Sequence, residues 1–265
     1  MLETEFNVRS PAPAWREETQ RAASPEVLLE TRALCFDAGG RRLIDRIDID
    51  IRAGRRTMIM GANGTGKSLL LRLLHGLISP TRGEVLWIGR PLDRRGRHAQ
   101  AMVFQRPVML RRSVIANLRF ALAVRGFAGS ERTARETEAL QRAQLEGLAA
   151  RQARVLSAGE QQRLAVARAL SCAPRILFLD EPTASLDPGS THAVEQLIRE
   201  AHADGVTIVL ATHDVGQARR IGDDLVFMHA GRVVETGRVP DVLDAPRSEA
   251  ARAWLEGRLY LDSSS

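Results

Sequence analysis

The chain has 265 residues, of which 44% are hydrophobic and 26% are charged, a composition typical of folded globular proteins. Its length suits one large α/β domain with a helical insertion, or two small domains, and no apolar run approaches the roughly 20 residues that a membrane-spanning helix needs. The net charge of +6 fits either an anionic partner such as nucleic acid or a solvated arginine-rich surface, which we favour.

The first segment, residues 1–25, carries scattered glutamate, arginine, proline and alanine, and it lacks the apolar core that a secretory signal requires. We therefore expect a flexible cytosolic tail. In the segment 27–51, Ile47, Ile49 and Ile51 alternate with aspartates. This alternation predicts an antiparallel β layer.

The next apolar run, residues 57–60, leads into a glycine-rich loop that fits the phosphate-binding pattern G-x-x-x-x-G-K-[ST]. Lys67 in this loop is the only lysine among the 38 Lys and Arg residues of the chain. An ammonium is a compact charge that fits among the β- and γ-phosphate oxygens of a nucleotide, whereas a guanidinium is planar and bulkier. The loop therefore predicts that the protein binds a nucleoside triphosphate.

The loop offers ligands to both a nucleotide and its metal. Its glycines let backbone N–H groups approach the phosphates, and the helix that starts at Ser68 directs its positive N-terminal end at the same anion. The Ser68 hydroxyl can bind Mg²⁺. The residues predicted to bind the triphosphate here are Gly61, Ala62, Asn63, Gly64, Thr65, Gly66, Lys67, Ser68 and Leu69.

Beyond this helix, a short apolar run leads into Gln105. Between about 108 and 160 the chain is rich in alanine, arginine and glutamate with weak strand signal, which predicts a helical subdomain inserted into an α/β core.

Ser157 and Glu160 have the S-x-x-E spacing of a capping box at a helix start. Such a helix start, with Ser157 and Gly159 exposed, can also bind a phosphate group.

Two further apolar runs end in polar residues. Residues 176–179 precede Asp180 and Glu181, and residues 207–210 precede a segment that contains His213. Short, continuously apolar strands indicate a buried parallel sheet, and ligands of such sheets gather at the carboxyl ends of the strands. We expect these polar groups to converge on one crevice, where Asp180 holds magnesium through water and Glu181 polarises an attacking water.

Taken in order, these motifs resemble those of the nucleotide-binding subunits of ATP-binding cassette (ABC) transporters. Each motif is weak alone, whereas the ordered set is specific. The resemblance implies a P-loop NTPase core with a mostly parallel sheet, an N-terminal antiparallel β layer and an inserted helical subdomain. The members of the set are the phosphate loop, Gln105, a signature-like segment at 156–162, Asp180 and Glu181, the segment 184–187, and His213.

This resemblance covers nearly all of the chain. We expect an ABC ATPase domain over 26–245 and a C-terminal extension over 246–265. The family's organisation implies a head-to-tail dimer of two copies that closes around two ATP molecules with Mg²⁺. Each ATP would lie between the phosphate loop of one copy and the signature-like segment of the other. The residues of that segment predicted to contact ATP are Ser157, Ala158, Gly159 and Glu160.

The resemblance also implies roles for the remaining motifs. Gln105 would contact metal and water and sense the membrane partner, Glu181 would be the general base, and His213 would contact the γ-phosphate. Asp187, which has the pattern of an N-cap before Pro188, would communicate across the dimer and contact ATP. The predicted catalytic residues are Lys67, Gln105, Glu181 and His213, and the predicted metal ligands are Ser68, Gln105 and Asp180.

Two positions depart from the family pattern. The signature usually has two consecutive glycines, and here the first is Ala158, so we expect a backbone conformation there that accepts a Cβ. The family also stacks an aromatic side chain on adenine, and the matching position here is Ala38. Either Phe36 substitutes for it or adenine stacking is weak, which bears on base selectivity.

A hydrolase without a membrane span implies a separate transmembrane permease. The single short cassette looks like the detached ATPase of a bacterial importer, which would lie on the cytoplasmic face of the inner membrane and act with an extracytoplasmic substrate-binding protein. The segment 101–114 particularly resembles ATPases of oxyanion importers of the tungstate, molybdate and phosphate kind. We therefore expect an oxyanion as cargo.

Three other classes of protein fit the sequence less well. A soluble ABC ATPase that acts on nucleic acid or ribosomes usually carries a long coiled coil or a second cassette, and 265 residues without heptads hold neither, so we expect no nucleic-acid partner. A regulatory module that holds ATP without hydrolysis would lack Glu181 and His213. A metabolic kinase with the same loop does not explain the segment 156–162.

Overall fold

The computed structural model describes residues 26–258, so the predicted tail over 1–25 and the last part of the predicted extension lie outside the described residues. An antiparallel sheet comes first in the chain. Its strands are β1 (Val27–Ala38), β2 (Arg41–Ile47), β3 (Asp50–Arg52), β5 (Arg82–Trp87) and β6 (Arg90–Pro91). They follow the order β2-β1-β5-β6, and β3 also pairs with β1.

The second sheet has six strands. They are β4 (Arg56–Met60), β7 (Gln100–Val103), β8 (Ile176–Asp180), β9 (Thr207–Ala211), β10 (Asp224–His229) and β11 (Arg232–Arg238). Their order is β11-β10-β4-β9-β8-β7. All pairings are parallel except that of β10 with β11, so the sheet is mostly parallel, as the continuously apolar runs predict.

Helices flank this sheet and fill the connection between β7 and β8. They are α1 (Lys67–His75), α2 (Arg94–His98), α3 (Val114–Val124), α4 (Gly129–Ala143), α5 (Ala158–Leu170), α6 (Pro188–Ala203), α7 (Val215–Ile221), α8 (Val239–Asp244) and α9 (Glu249–Leu255). Two 3₁₀ turns, Glu146–Leu148 and Ala153–Val155, lie between α4 and α5. The segment from β7 to β8 is therefore helical throughout its regular structure.

Two hydrophobic cores cover the two faces of the mixed sheet. Successive residues of a strand point to opposite faces, so on β8 Leu177 and Leu179 enter one core and Phe178 enters the other. The first core includes residues of α6 and of the inserted helices α3, α4 and α5, and the second includes α1 and the antiparallel layer. Because both faces of the mixed sheet are packed, the ends of its strands are held in place.

The predicted fold class is confirmed: a P-loop α/β core, an N-terminal antiparallel layer and helices inserted between β7 and β8. The described part of the predicted extension packs on the core, since the Trp254 ring meets Phe227 edge-on at 5.4 Å. Glu235 also accepts hydrogen bonds from the backbone N–H groups of Arg247 and Ser248. Within residues 26–258, no helix has the length and apolar character to cross a bilayer.

Candidate functional site

Four neighbouring strands bring the predicted motifs to one edge of the mixed sheet. The strands lie in the order β4-β9-β8-β7. The glycine loop follows β4, His213 follows β9, Glu181 follows β8 and Gln105 follows β7. Because all four strands are parallel, their carboxyl ends meet at the same edge. Residues that are between 32 and 146 positions apart in the chain thus lie at one edge of the sheet.

The glycine loop has a backbone that only glycine accommodates at key points. Gly61 has φ +144°, and a Cβ there would lie 2.2 Å from the backbone oxygen of Met228. Gly66 has φ +99° and begins α1 without a side-chain cap. The Thr65 hydroxyl donates to the Ala62 carbonyl at 2.9 Å, which closes the loop. The first N–H groups of α1 are therefore left for an anion.

Other parts of the loop differ in exposure. Ala62, Asn63 and Gly64 form its exposed tip, whereas Leu69 is half-buried in the first turn of α1. Because the tip is exposed and the helix start behind it is fixed, a triphosphate can reach the backbone N–H groups of the loop. Of the loop residues predicted from sequence, the tip is thus exposed, whereas Gly61, Thr65 and Lys67 are buried.

Lys67 is buried, with 5% of its surface exposed. Its Nζ donates to the carbonyl oxygens of Gly61 at 2.9 Å and Ala62 at 3.0 Å, and it lies 3.9 Å from Glu181 Oε1. Burial lowers the pKa of Lys67, while the charges of Glu181 and Asp180 act in the opposite direction. The ammonium is therefore held among oxygen atoms beside the loop.

Asp180 and Ser68 form a hydrogen-bonded pair at the end of β8. The Ser68 hydroxyl donates to Asp180 Oδ1 at 2.7 Å. Burial raises the pKa of Asp180, and the hydrogen bond from Ser68 partly opposes that shift. The pair presents a hydroxyl and a carboxylate at one point, which is the ligand chemistry that a hard divalent cation prefers.

Glu181 is the residue at which the polar groups meet. Its Oε2 accepts a hydrogen bond from Gln105 Nε2 at 3.3 Å, and its Oε1 lies 3.3 Å from His213 Nδ1. The backbone of Glu181 has φ +45°, which is rare for a residue with a side chain. Such positions cluster at functional sites, where the surrounding structure holds them.

The signature-like segment forms a complete capping box at the start of α5. The Glu160 N–H donates to Ser157 Oγ at 3.3 Å, and the Ser157 N–H donates to Glu160 Oε2 at 2.7 Å. This backbone hydrogen bond lowers the pKa of Glu160. Ala158 is the first helical residue, so its Cβ is accommodated as expected. Ser157 and Ala158 are both exposed.

Gly159 corrects one expectation from the sequence, because it is buried and not exposed. A Cβ at Gly159 would lie 2.1 Å from Ser190 Oγ and 2.6 Å from Ser190 Cβ. Asp187 accepts from the Ser190 N–H at 2.9 Å and from its hydroxyl at 2.6 Å, which lowers the pKa of Asp187. Within one chain, the signature-like segment is thus packed against the start of α6.

We expect Gly159→Ala to lower the free energy of unfolding by about 1–3 kcal/mol, because the added methyl group overlaps Ser190. Gly147→Ala is the matched control, since a Cβ there meets nothing within 4 Å. Thermal and urea unfolding of both variants measure the difference. Equal stabilities for the two variants would contradict the close contact between α5 and α6.

Phe36 and Ala38 lie near the end of β1. Phe36 is half-buried and packs against the core beneath the antiparallel layer, whereas Ala38 is exposed. Phe36 pairs with Ile44 across β1 and β2, and Ile44 Cδ1 is the atom that a Cβ at Gly66 would meet at 2.9 Å. Phe36 therefore lies one strand away from the glycine loop, and its contact with adenine stays a prediction.

A family model described as "ABC transporter" matches residues 44–184, which is more than half of the chain. The chain belongs to the ABC transporter family. This membership confirms the predictions that the chain binds ATP and that it is an ATPase. The roles assigned to single residues and the domain boundaries stay predictions.

Curated relatives extend the match beyond those residues. The chain is 36% identical over 83% of its length to the methionine import ATP-binding protein MetN of Caulobacter vibrioides, and it covers 69% of that protein. It is 36% identical over 86% of its length to the Fe(3+) ions import ATP-binding protein FbpC of Streptomyces avermitilis, of which it covers 68%. It is also 33% identical to the phosphate import ATP-binding protein PstB 2 of Natronomonas pharaonis, and this match covers 98% of the chain and 99% of the relative.

Solved structures share the fold. The cbiO1 protein of Clostridium perfringens, part of the ABC transporter complex cbiONQ, superposes with a TM-score of 0.76 at 31% identity, covering 83% of this chain and 92% of that one. An ATP-binding cassette solved as a dimer with ADP and Pi gives 0.72 at 29% identity, covering 80% and 99%. Both similarities cover at least 80% of this chain.

Sequence reasoning missed three residues that support the site. Ser190 lies under Gly159, and Gln217 and Thr183 form a hydrogen bond next to the Glu181 turn. None of them belongs to a local motif. Their contacts join separate elements, so only the folded chain reveals them.

Proposed function

We propose that the chain is the ATP-hydrolysing subunit of an importer, in which it drives an oxyanion through a separate permease. The observation that supports ATP hydrolysis most strongly is the convergence of Lys67, Ser68, Asp180, Gln105 and the Glu181–His213 pair at four adjacent strand ends. Phosphoryl transfer requires this combination of a phosphate cradle, oxygen ligands for a metal and a residue that orients water.

Lys67 and the start of α1 would hold the β- and γ-phosphates. The ammonium already lies among loop carbonyls, 2.9 Å and 3.0 Å from two of them, and an anionic phosphate is a better partner for it than a carbonyl. The uncapped N-terminus of α1 adds N–H donors. Together these positive groups would bind the charged phosphates of the nucleotide and not its uncharged nucleoside.

The donor set beside the loop fits Mg²⁺. Ser68, Asp180 and Gln105 offer hydroxyl, carboxylate and amide oxygens, the ligand types that Mg²⁺ prefers. Among residues 26–258, no group of three or more His, Cys, Asp or Glu side chains could hold a metal ion. Phosphate oxygens of a bound nucleotide would supply further ligands, as is usual for Mg²⁺. The ion would contribute positive charge that stabilises the transferred phosphoryl group.

Glu181 would act as the general base. Its carboxylate contacts Gln105 through one oxygen and His213 through the other, and these contacts restrict its orientation. It would take the proton of that water, while His213 would donate a hydrogen bond to the γ-phosphate. A positioned base of this kind typically contributes 10²- to 10⁴-fold to the rate.

The full site would require a second copy. In one chain, the helix start with Ser157 and Glu160 packs against α6. Neither α5 nor α6 belongs to the elements that form the glycine loop. An exposed, capped helix start is suited to complete the phosphate cage of another molecule. We infer a head-to-tail dimer in which Ser157 of each copy faces the nucleotide held by Lys67 of the other, and Asp187 lies beside the interface.

The permease would dock on the helical insertion. Phe120 and Val124 are 44% and 68% exposed, and their i, i+4 spacing puts them on one face of α3. Val108, three residues after Gln105, is also exposed. Exposed apolar side chains on the insertion, one of them close in sequence to a residue of the site, suit a partner that must sense nucleotide. The subunit would then lie on the cytoplasmic face of the inner membrane.

The cargo would be an oxyanion such as tungstate, molybdate or phosphate, delivered by an extracytoplasmic binding protein. Support comes from the phosphate import relative, which matches along almost the entire length of both chains. The methionine and iron import relatives are similar in identity but longer than this chain. The alternative of a soluble ABC ATPase acting on nucleic acid has no support from these relatives, whose names all refer to import.

We expect the double variant Phe120→Glu/Val124→Glu to keep the ATPase activity of the purified chain and to lose cargo uptake in cells, because two charges would enter the permease interface. The measurement is uptake of labelled tungstate, molybdate, phosphate and methionine by cells that carry each variant. Leu77→Glu is the matched control, since Leu77 is also half-exposed but lies after α1.

The outcomes separate the parts of the proposal. One result would support the importer, the oxyanion cargo and the docking surface together. In that result, uptake of an oxyanion depends on the chain, is lost in the double variant and is kept in the Leu77→Glu control. If methionine uptake alone depended on the chain, the cargo assignment would be wrong. If uptake of every compound were the same without the chain, the importer assignment would be wrong, although ATP hydrolysis would stand.

A further inference from the structure

A buried polar network joins α6 to α7 behind the Glu181–His213 pair. Glu195 on α6 is almost fully buried, and both of its carboxylate oxygens accept hydrogen bonds from Arg220 on α7, at 2.6 Å and 3.1 Å. Arg199 lies 3.6 Å from the same carboxylate. A buried carboxylate needs such compensation, because its desolvation is costly.

Gln217 extends this network to the Glu181 turn. It is fully buried, and its Nε2 donates to Thr183 Oγ1 at 2.8 Å and to Glu195 Oε1 at 3.4 Å. The Thr183 carbonyl accepts the Leu186 N–H at 3.2 Å. Thr183 therefore anchors the turn that begins at Glu181.

The same glutamine is tied to the His213 segment. The Gln217 N–H donates to Asp214 Oδ1 at 3.0 Å, and the Asp214 N–H donates to Thr212 Oγ1 at 3.0 Å. His213 lies between these two residues. Gln217 thus holds the Glu181 turn by its side chain and the His213 segment by its backbone.

We propose that Gln217, supported by Glu195 and Arg220, is a positioning residue that sets the distance between Glu181 and His213 during ATP hydrolysis. It is fully buried and would act through the two loops that it joins. This inference rests on the proposed roles of Glu181 and His213.

Stability alone does not account for Gln217. Its Oε1 is buried and has no hydrogen-bond partner within residues 26–258, so the amide leaves one polar atom unsatisfied. Methionine has nearly the same volume and would avoid that cost. A glutamine at this place is explained by the bond that it makes to Thr183.

The chain contains a matched control for the buried charge. Glu136 on α4 is 4% exposed in its side chain and bonds both oxygens to Arg119, which is 51% exposed; Glu195 is 3% exposed and Arg220 49%. The two carboxylates have the same chemistry and burial. They differ in that the Glu136 pair lies in the helical insertion, away from the Glu181 turn.

The test measures kcat, KM and melting temperature for Gln217→Met, Thr183→Val and Glu195→Gln in the purified full chain. We expect kcat to fall at least about tenfold with KM unchanged, because small misplacements of catalytic groups are costly. Thr183→Ser, which keeps the hydroxyl, should retain activity. The double variant Thr183→Val/Gln217→Met should lose no more than either single variant, as expected for one shared bond.

Glu136→Gln should lower the melting temperature as much as Glu195→Gln does and leave kcat unchanged. The inference is overturned if Gln217→Met and Thr183→Val keep wild-type kcat, or if Glu136→Gln reduces kcat equally. If the wild-type chain hydrolysed no ATP, the proposed function would fail instead. If the wild-type chain hydrolysed ATP and the variants kept its kcat, only the positioning role of Gln217 would be wrong.

Discussion

The Glu181→Gln variant is expected to lose ATP turnover and to form a dimer that persists as long as ATP is present. Glutamine keeps the shape of the side chain and its contact with Gln105, but it cannot take a proton from water. The loss of a general base lowers kcat by about 10²- to 10⁴-fold. Binding should be retained because Lys67 and Ser68, the residues proposed to contact the phosphates, are unchanged.

Two measurements check this expectation. Phosphate release gives the turnover rate, and gel filtration with light scattering, with and without Mg²⁺ and ATP, gives the oligomeric state. Glu136→Gln controls for the loss of a carboxylate elsewhere. A Glu181→Gln chain that hydrolyses ATP at the wild-type rate would refute the base assignment, and a chain that binds ATP but stays monomeric would refute the dimer.

Much of the fold could be predicted because its signals are local. The runs at 57–60, 176–179 and 207–210 are continuously apolar, and they form β4, β8 and β9 at the centre of the mixed sheet. The capping box at Ser157 and the N-cap at Asp187 form as predicted. Such elements depend on residues within a few positions of one another, so the sequence alone specifies them.

Contacts between distant elements could not be predicted in the same way. The burial of Gly159 depends on Ser190, which is 31 positions away on another helix. The Gln217–Thr183 hydrogen bond spans 34 positions, and neither residue lies in a sequence pattern that predicts this contact. The positive φ of Glu181 also arises from its surroundings and not from its residue type.

A second large effect is expected at Lys67. Lys67→Ala should weaken nucleotide binding at least about a hundredfold, since it removes the buried charge that we propose pairs with the phosphates. Lys67→Arg should also fail, although it keeps the charge, because a planar guanidinium does not fit where Nζ lies 2.9 Å and 3.0 Å from the loop carbonyls. This would explain why the chain retains a single lysine.

Titration with a fluorescent ATP analogue measures both affinities, and thermal melting verifies that the variants fold. Wild-type affinity in the Lys67→Ala chain would count against the loop as the phosphate site. Wild-type affinity in the Lys67→Arg chain alone would leave the loop in place and refute the size argument.

The same variant gives the most direct test of a nucleotide shared between two copies. Lys67→Ala disables the loop, and Ser157→Arg blocks the capped helix start; each chain alone should be inactive. In a two-fold dimer of one chain of each kind, both lesions fall on the same nucleotide site, and the other site is intact. We therefore predict that mixing the two purified inactive chains restores ATP hydrolysis. A mixture that stays inactive, although both chains fold and form mixed dimers, would contradict the shared site.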